Sequence, residues 1–232
     1  MNYPNELYQD TDQFIAHRFK DREEWLSYRI KGIGGSDSSA AIGMNPWKTN
    51  QDLYRQKVGP EESRIFNNKA MEYGTEAEEP LRWLFQLDHP EMEVHYLDHV
   101  ILQSKTTPYL LYSPDGLLLE KETGRKGILE IKTTEILQSM QKEKWKDQVP
   151  MNYYIQVLHG LLVSGFDFVI LKAQLKRVYR NENGSEELRI ECREYRFERS
   201  EKGDDLDYLK DGLEKFWKCI EEKKEPGLLL TL

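Results

Sequence analysis

Between Glu93 and Thr134 the spacing of apolar residues changes from helical to alternating, and this stretch constrains the fold more than any other. Three segments, EVHYLDHVIL, PYLLYSPDGLLLE and KGILEIKTT, carry strand periodicity, and the turn signals SKTTP and KETG separate them. Together they predict an antiparallel meander. After a Lys-rich loop, MNYYIQVLHGLLVSG reads as a buried helix. FDFVILKAQLKRVYR and LRIECREYRFERS follow as two strands joined at NENG. The chain closes on an amphipathic helix, with Leu206, Leu209, Leu213, Phe216, Trp217 and Ile220 on one stripe.

The region before the meander is helical. Trp25, Tyr28 and Arg29 share one periodicity, Gly32, Gly34 and Gly35 interrupt it, and Ser36 or Asp37 caps a second helix. TNQDLYRQKVG predicts a short helix ended by Gly59, and NNKAMEYGTEAEEPLRWLFQL a longer one. Pro80 implies either a kink or a new helix whose first turn holds Glu78, Glu79 and Pro80. Helix, meander, helix, strands and helix describe an α/β organisation around a mixed sheet. No linker divides the 232 residues, so a single domain is expected over 1–232. A helical segment (1–90) and a C-terminal hairpin plus helix (180–232) would pack on its core.

No run of about 18 apolar residues occurs and the first thirty are polar, which points to a soluble, intracellular protein with no membrane partner. Cys192 and Cys219 lie far apart without a second ligand at metal spacing, so they read as structural thiols. The net charge of −8 disfavours a polyanionic partner only weakly, because the local field along a groove decides binding. Arg29, Lys31, Lys48, Arg55, Lys57, Lys132, Lys142, Lys144 and Lys146 recur near the segments that carry chemistry.

That chemistry centres on SPDGLLLEKETGRKGILEIKT. Glu130 and Lys132 are two apart on a strand and share a face, while Leu129, Ile131 and Thr133 take the other. With the KETG turn centred near residues 122 to 124, Asp115 falls within a couple of positions of facing Glu130. Facing side chains stand about 5 Å apart, which suits two carboxylates holding one divalent ion. Hard oxygen ligands favour Mg²⁺, and the carbonyl of Ile131 offers a third protein oxygen. Lys132 would sit beside a metal-bound water and lower its pKa as a cation. The alternative reading is a solvated cross-strand ion pair. Against it, Asp115 and Glu130 both lie in apolar sequence, where unpaired carboxylates are costly.

Ser113, Pro114, Asp115 and Gly116 with Glu130, Ile131 and Lys132 resemble the PD-(D/E)XK nuclease signature. Trp25, Arg29 and GIGGSDSSAAIG, then MEYGTEAEEPLRWLF, then YYIQVLHGLLVSG narrow the resemblance to the phage-type recombination exonucleases, the lambda exonuclease and YqaJ-like viral recombinase family. The resemblance implies a restriction-endonuclease-like core with a mixed central β-sheet flanked by helices. It implies that Asp115 and Glu130 bind a catalytic Mg²⁺, for which Mn²⁺ substitutes, and that Lys132 activates water. Glu78, four residues after Gly74, would be a further ligand, with Glu76 and Glu79 as rivals. Arg29 and Ser36 would hold a DNA phosphate. A guanidinium forks onto phosphate, and a glycine turn opening a helix presents free N–H groups to an anion. Tyr153 and Gln156 match the helix that lines the site; His159 shares its face and reads as structural. The family further implies 5′-to-3′ digestion of double-stranded DNA with free ends and 3′ tails handed to a single-strand annealing protein. It also implies a homo-oligomeric ring trimer in the cytoplasm of a phage's or prophage's bacterial host. An endonuclease of the same superfamily and a non-catalytic DNA-binding module are the competing readings. No motif matches beyond about Asn181.

Overall fold

The buried segment Ile128 to Ile131, apolar except for Glu130, lies in a strand covered on both faces, and the rest of the chain is arranged around it. The computed structural model describes residues 3–59, 69–136, 143–180 and 185–229. In chain order it opens with β1 (Phe14–Arg18), α1 (Arg22–Arg29), α2 (Gly35–Ala41), α3 (Asn50–Val58) and α4 (Lys69–Asp88). There follow β2 (Met92–His95), β3 (Val100–Ser104), β4 (Leu111–Tyr112), β5 (Gly116–Glu120) and β6 (Lys126–Glu135). The chain continues with α5 (Met151–Ser164), β7 (Phe168–Arg180), β8 (Glu186–Glu198) and α6 (Gly203–Glu221).

Five strands form a mixed sheet in the order β2-β5-β6-β7-β8, with only β6 and β7 parallel. A parallel pair needs a crossover, and α5 supplies it. One face of the sheet meets α4, where Ala77, Leu81 and Phe85 pack with Leu129, Ile131, Phe168 and Ile170. On the other face Ile128, Leu171 and Ala173 join the larger cluster with α5 and with Leu206, Leu209, Leu213 and Phe216 of α6. Hydrophobic residues on alternate sides of β6 therefore serve two separate cores, as the period of two requires. The mixed α/β class read from the sequence is the observed one.

The meander is corrected. Residues 93–102 do not form one strand: the chain turns through His99, at φ +55°, between β2 and β3. Residues 108–120 are likewise divided, because Pro114 has no N–H to contribute to a ladder. The freed pieces β3 and β4 build a second, three-stranded sheet in the order β1-β3-β4. β1 escaped the sequence reading because its five residues bury only Phe14. α2 is capped by Gly34 and not by Ser36 or Asp37. α4 runs as one helix through Pro80, so no new helix starts there, and its expected first residues Asn67 and Asn68 lie outside the described residues. The NENG turn and Lys142 also lie outside them. Cys192 and Cys219 are free thiols, the former exposed on β8. Among the described residues no helix is long and apolar enough to cross a membrane.

Candidate active site

The β5–β6 ladder ends at the pair Gly116 and Leu129, which puts Asp115 opposite Glu130 one position further on. Pro114 stops the pairing there and leaves the N–H of Ile131 unclaimed by a strand; Asp115 Oδ2 accepts it at 2.7 Å. Arg82 of α4 donates through Nε to the Asp115 carbonyl at 2.7 Å. Arg82 is 2% exposed, and its guanidinium carbon lies 3.4 Å from the ring centroid of Tyr96. The turn that carries Asp115 is thus fixed from the sheet on one side and from α4 on the other.

Glu130 is 1% exposed and receives three donors from three elements. Lys132 Nζ on β6 donates to Oε1 at 2.7 Å, and Gln156 Nε2 on α5 donates to the same oxygen. Tyr112 on β4 donates its hydroxyl to Oε2 at 2.6 Å. Burial and the neighbouring Glu130 carboxylate push the Asp115 carboxyl well above its ordinary range, which Lys132 only partly offsets. Burial alone would lower the Lys132 pKa, but Glu130 and Asp115 outweigh it and raise it above the usual lysine value. Lys132 therefore stays cationic at any physiological pH.

Of the three acidic candidates on α4, Glu78 is half-buried while Glu76 and Glu79 are exposed. Burial raises the Glu78 pKa, with Lys132 and Arg82 opposing and Glu130 adding to the shift. Glu78 thus lies within the electrostatic reach of the sheet residues. Among the described residues no three carboxylate, histidine or cysteine side chains stand close enough to form a ready-made metal cage. The donor set nonetheless fits a hard cation. Of two facing carboxylates, one is buried and the other forced toward protonation despite Lys132 at Glu130, and all their donor atoms are oxygens.

Arg29 and Ser36 meet as a pair: Arg29 Nη2 donates to Ser36 Oγ at 2.9 Å. The guanidinium carbon sits 5.1 Å from the Trp25 ring centroid, a cation–π contact that holds the fork in place. Trp25 in turn donates its indole N–H to Ser113 at 3.2 Å, joining α1 to the Ser113–Asp115 turn. The expectation of free N–H groups at the start of α2 is corrected at Gly34, whose N–H is turned toward the Asp37 carboxylate at 3.4 Å. Asp37 is anchored by Lys57 at 2.7 Å and Lys48 at 3.8 Å. Although burial opposes ionisation, these lysines and Arg29 bring its pKa down to about 2. Arg55, another basic position, pairs with Glu225 at 2.6 Å instead.

On α5, Gln156 reaches Glu130, while Tyr153 sits at the edge with its ring centroid 6.0 Å from Lys132 Nζ and 5.4 Å from the Trp145 ring. His159 is structural as expected. Its Nε2 lies 2.9 Å from the Leu111 carbonyl and its Nδ1 2.6 Å from Ser38 Oγ, and burial lowers its pKa to about 4. The sequence reading missed Tyr112, Arg82 and Asp37. Arg82 carried a usable signal, since it follows Glu78 by one helical turn. Tyr112 carried a weaker one: a tyrosine in a buried strand needs a partner for its hydroxyl.

The sheet, the crossover helix and the carboxylates of Asp115, at the break between β4 and β5, and of Glu130 on β6 define a PD-(D/E)XK-like fold. In structure the chain is similar to an alkaline exonuclease from Laribacter hongkongensis, with a TM-score of 0.64, 19% identity, and coverage of 87% of this chain and 93% of that one. The same exonuclease in complex with dAMP gives a TM-score of 0.62 at 19% identity over the same shares. The signature of the YqaJ-like viral recombinase domain covers residues 24–167, and the chain belongs to that family. It is 32% identical over 148 residues to the uncharacterized protein YqaJ of Bacillus subtilis (strain 168). The match takes in 63% of this chain and 44% of that relative, so the chain spans less than half of the relative's length.

Proposed function

We propose that the chain is a Mg²⁺-dependent exonuclease that digests double-stranded DNA from a 5′-phosphorylated end. The observation that carries this reading is Asp115 facing Glu130 with Lys132 bonded to the same carboxylate. The family and the exonuclease likeness in fold support it. In this reading Asp115, Glu130, Glu78 and the Ile131 carbonyl hold Mg²⁺, or Mn²⁺ in its place. When bound, the ion stabilises charge on the phosphate oxygens and makes its water acidic.

The chain's own residues supply the rest. Arg29 and Ser36 hold the terminal phosphate, which sets the register of the next phosphodiester against the carboxylates. Lys132, held at Glu130, orients the attacking water and offsets the charge that builds up as its oxygen bonds to phosphorus; the water's proton passes to bulk solvent, and solvent water returns one to the departing O3′. The P–O3′ bond breaks, a mononucleotide leaves, and the strand that remains again ends in a 5′-phosphate. Gln156 keeps Glu130 in place, and Tyr153 offers an aromatic face at the rim. The 3′ tails produced would suit a single-strand annealing protein, and a ring of three copies would present the basic positions to a central duplex.

The test is direct. Linear duplexes with a 5′-phosphate or a 5′-hydroxyl, and a closed circle, are incubated with the protein and Mg²⁺. Loss of linear DNA alone, faster with the phosphate, supports the reading. Nicking of the circle identifies an endonuclease, and binding without cleavage a non-catalytic module; either result overturns it.

A further inference from the structure

Glu130 has more donors than a metal ligand needs, and their arrangement limits what it offers. An ionised carboxylate has about four lone-pair sites, two on each oxygen. Lys132 and Gln156 occupy both on Oε1, and Tyr112 occupies one on Oε2. One site is left, on the oxygen that Tyr112 holds.

The tyrosine is itself immobilised. It is 2% exposed and its ring lies in a slot walled by two glycines. A Cβ at Gly160 would stand 3.0 Å from the ring's Cζ and 3.1 Å from its hydroxyl oxygen. A Cβ at Gly35 would stand 3.4 Å from Cδ2 and 3.2 Å from Cγ of Gln156. The residue beside Ser36 therefore faces both Tyr112 and Gln156, two of the three side chains that orient Glu130, with no room for a side chain of its own without displacing them.

We propose that Tyr112 is a positioning residue that sets the cation preference of the site, holding Glu130 as a fixed single-oxygen ligand that favours Mg²⁺ over Ca²⁺. The inference rests on reading Asp115 and Glu130 as metal ligands. Mg²⁺ demands near-ideal octahedral geometry, whereas Ca²⁺ accepts flexible, mono- or bidentate carboxylates at longer range. A carboxylate anchored at both oxygens suits the first. Without the hydroxyl, the Oε1 contacts become a pivot and Oε2 swings, a freedom that penalises Mg²⁺ more than Ca²⁺.

The test uses the DNA-free protein with Mn²⁺ bound, followed by electron paramagnetic resonance while Mg²⁺ or Ca²⁺ displaces the Mn²⁺. For Tyr112→Phe, Mg²⁺ is expected to compete about tenfold less well, in the range that loss of an outer hydrogen-bond partner produces, while Ca²⁺ changes by less than about threefold. Gly160→Ala keeps the tyrosine but crowds its hydroxyl, and should shift the preference in the same direction. Thermal melting confirms that both variants fold. Equal loss of both cations would make Tyr112 merely structural and overturn the proposal, as would an unchanged ratio in Tyr112→Phe. Failure of the underlying reading looks different: the wild type itself then binds no Mn²⁺ and cuts no DNA, and the proposal falls with it.

Discussion

Replacing Asp115 by Asn should stabilise the metal-free protein while abolishing cleavage. Facing positions on paired strands are about 5 Å apart, and at an effective dielectric constant of about 20 two unit charges there repel by about 3 kcal/mol. Lys132, 2.7 Å from Glu130, offsets part of this, so the variant should gain about 1–2 kcal/mol, or about 2–8 °C in Tm for a chain of this size. The amide oxygen still accepts the Ile131 N–H. The pH dependence has a defined sign. The Asp115 pKa is raised in the fold above its ordinary 3.8, so its contribution is full below that pH and is lost as pH rises through the folded value. Wild type should therefore lose an increment of stability upward from about pH 4 that the variant keeps. Saturating Mg²⁺ should reverse the order, since a ligand at 100 times its Kd adds about 2.7 kcal/mol to the protein that binds it. The assay is thermal or urea unfolding of both proteins with and without Mg²⁺, beside digestion of a 5′-phosphorylated duplex. A variant less stable than the metal-free wild type, or a wild type indifferent to Mg²⁺, would refute the reasoning.

Lys132→Met should also abolish digestion but with the opposite effect on stability, a loss of about 3–5 kcal/mol on denaturant unfolding, because it leaves Glu130 buried without its cation. Arg29→Ala should cut the rate on 5′-phosphate ends about tenfold or more with little change on 5′-hydroxyl ends, since a forked charge-assisted contact is lost; initial rates on the two substrates decide it. The His159 pKa falls from 6.5 to about 4 in the fold, so its contribution is full above pH 6.5 and declines by about 3 kcal/mol in total as pH falls through that window. His159→Gln should flatten this part of the pH–stability curve, measured by urea unfolding between pH 4 and 7.

How much of this was legible depends on the range of the interaction. The β6 segment and the stripe of α6 were readable because periodicity is local, and each meets its partner face on one regular element. Asp115 facing Glu130 was nearly readable, since the KETG hairpin fixes a register over few residues. The division of 93–102 and 108–120 between two sheets was not: the apolar pattern continues through both breaks, and only the pairing of β3 with β1 across some eighty residues shows which sheet claims it. Tyr112 reaches Glu130 from beyond the break at Pro114 and Gln156 from the crossover helix, so strand register does not predict either contact. Arg29 and Ser36, only seven apart, could be paired from the motif alone.

The tethering of Glu130 to β4, β6 and α5 has a mechanical consequence. A slip of the crossover helix against the sheet too small to expose either core would still break one of these short contacts and tilt the carboxylate. Heating should thus silence the protein some degrees before its circular dichroism changes. The same tether makes the carboxylate a gauge of how three separately coded parts of the chain fit together.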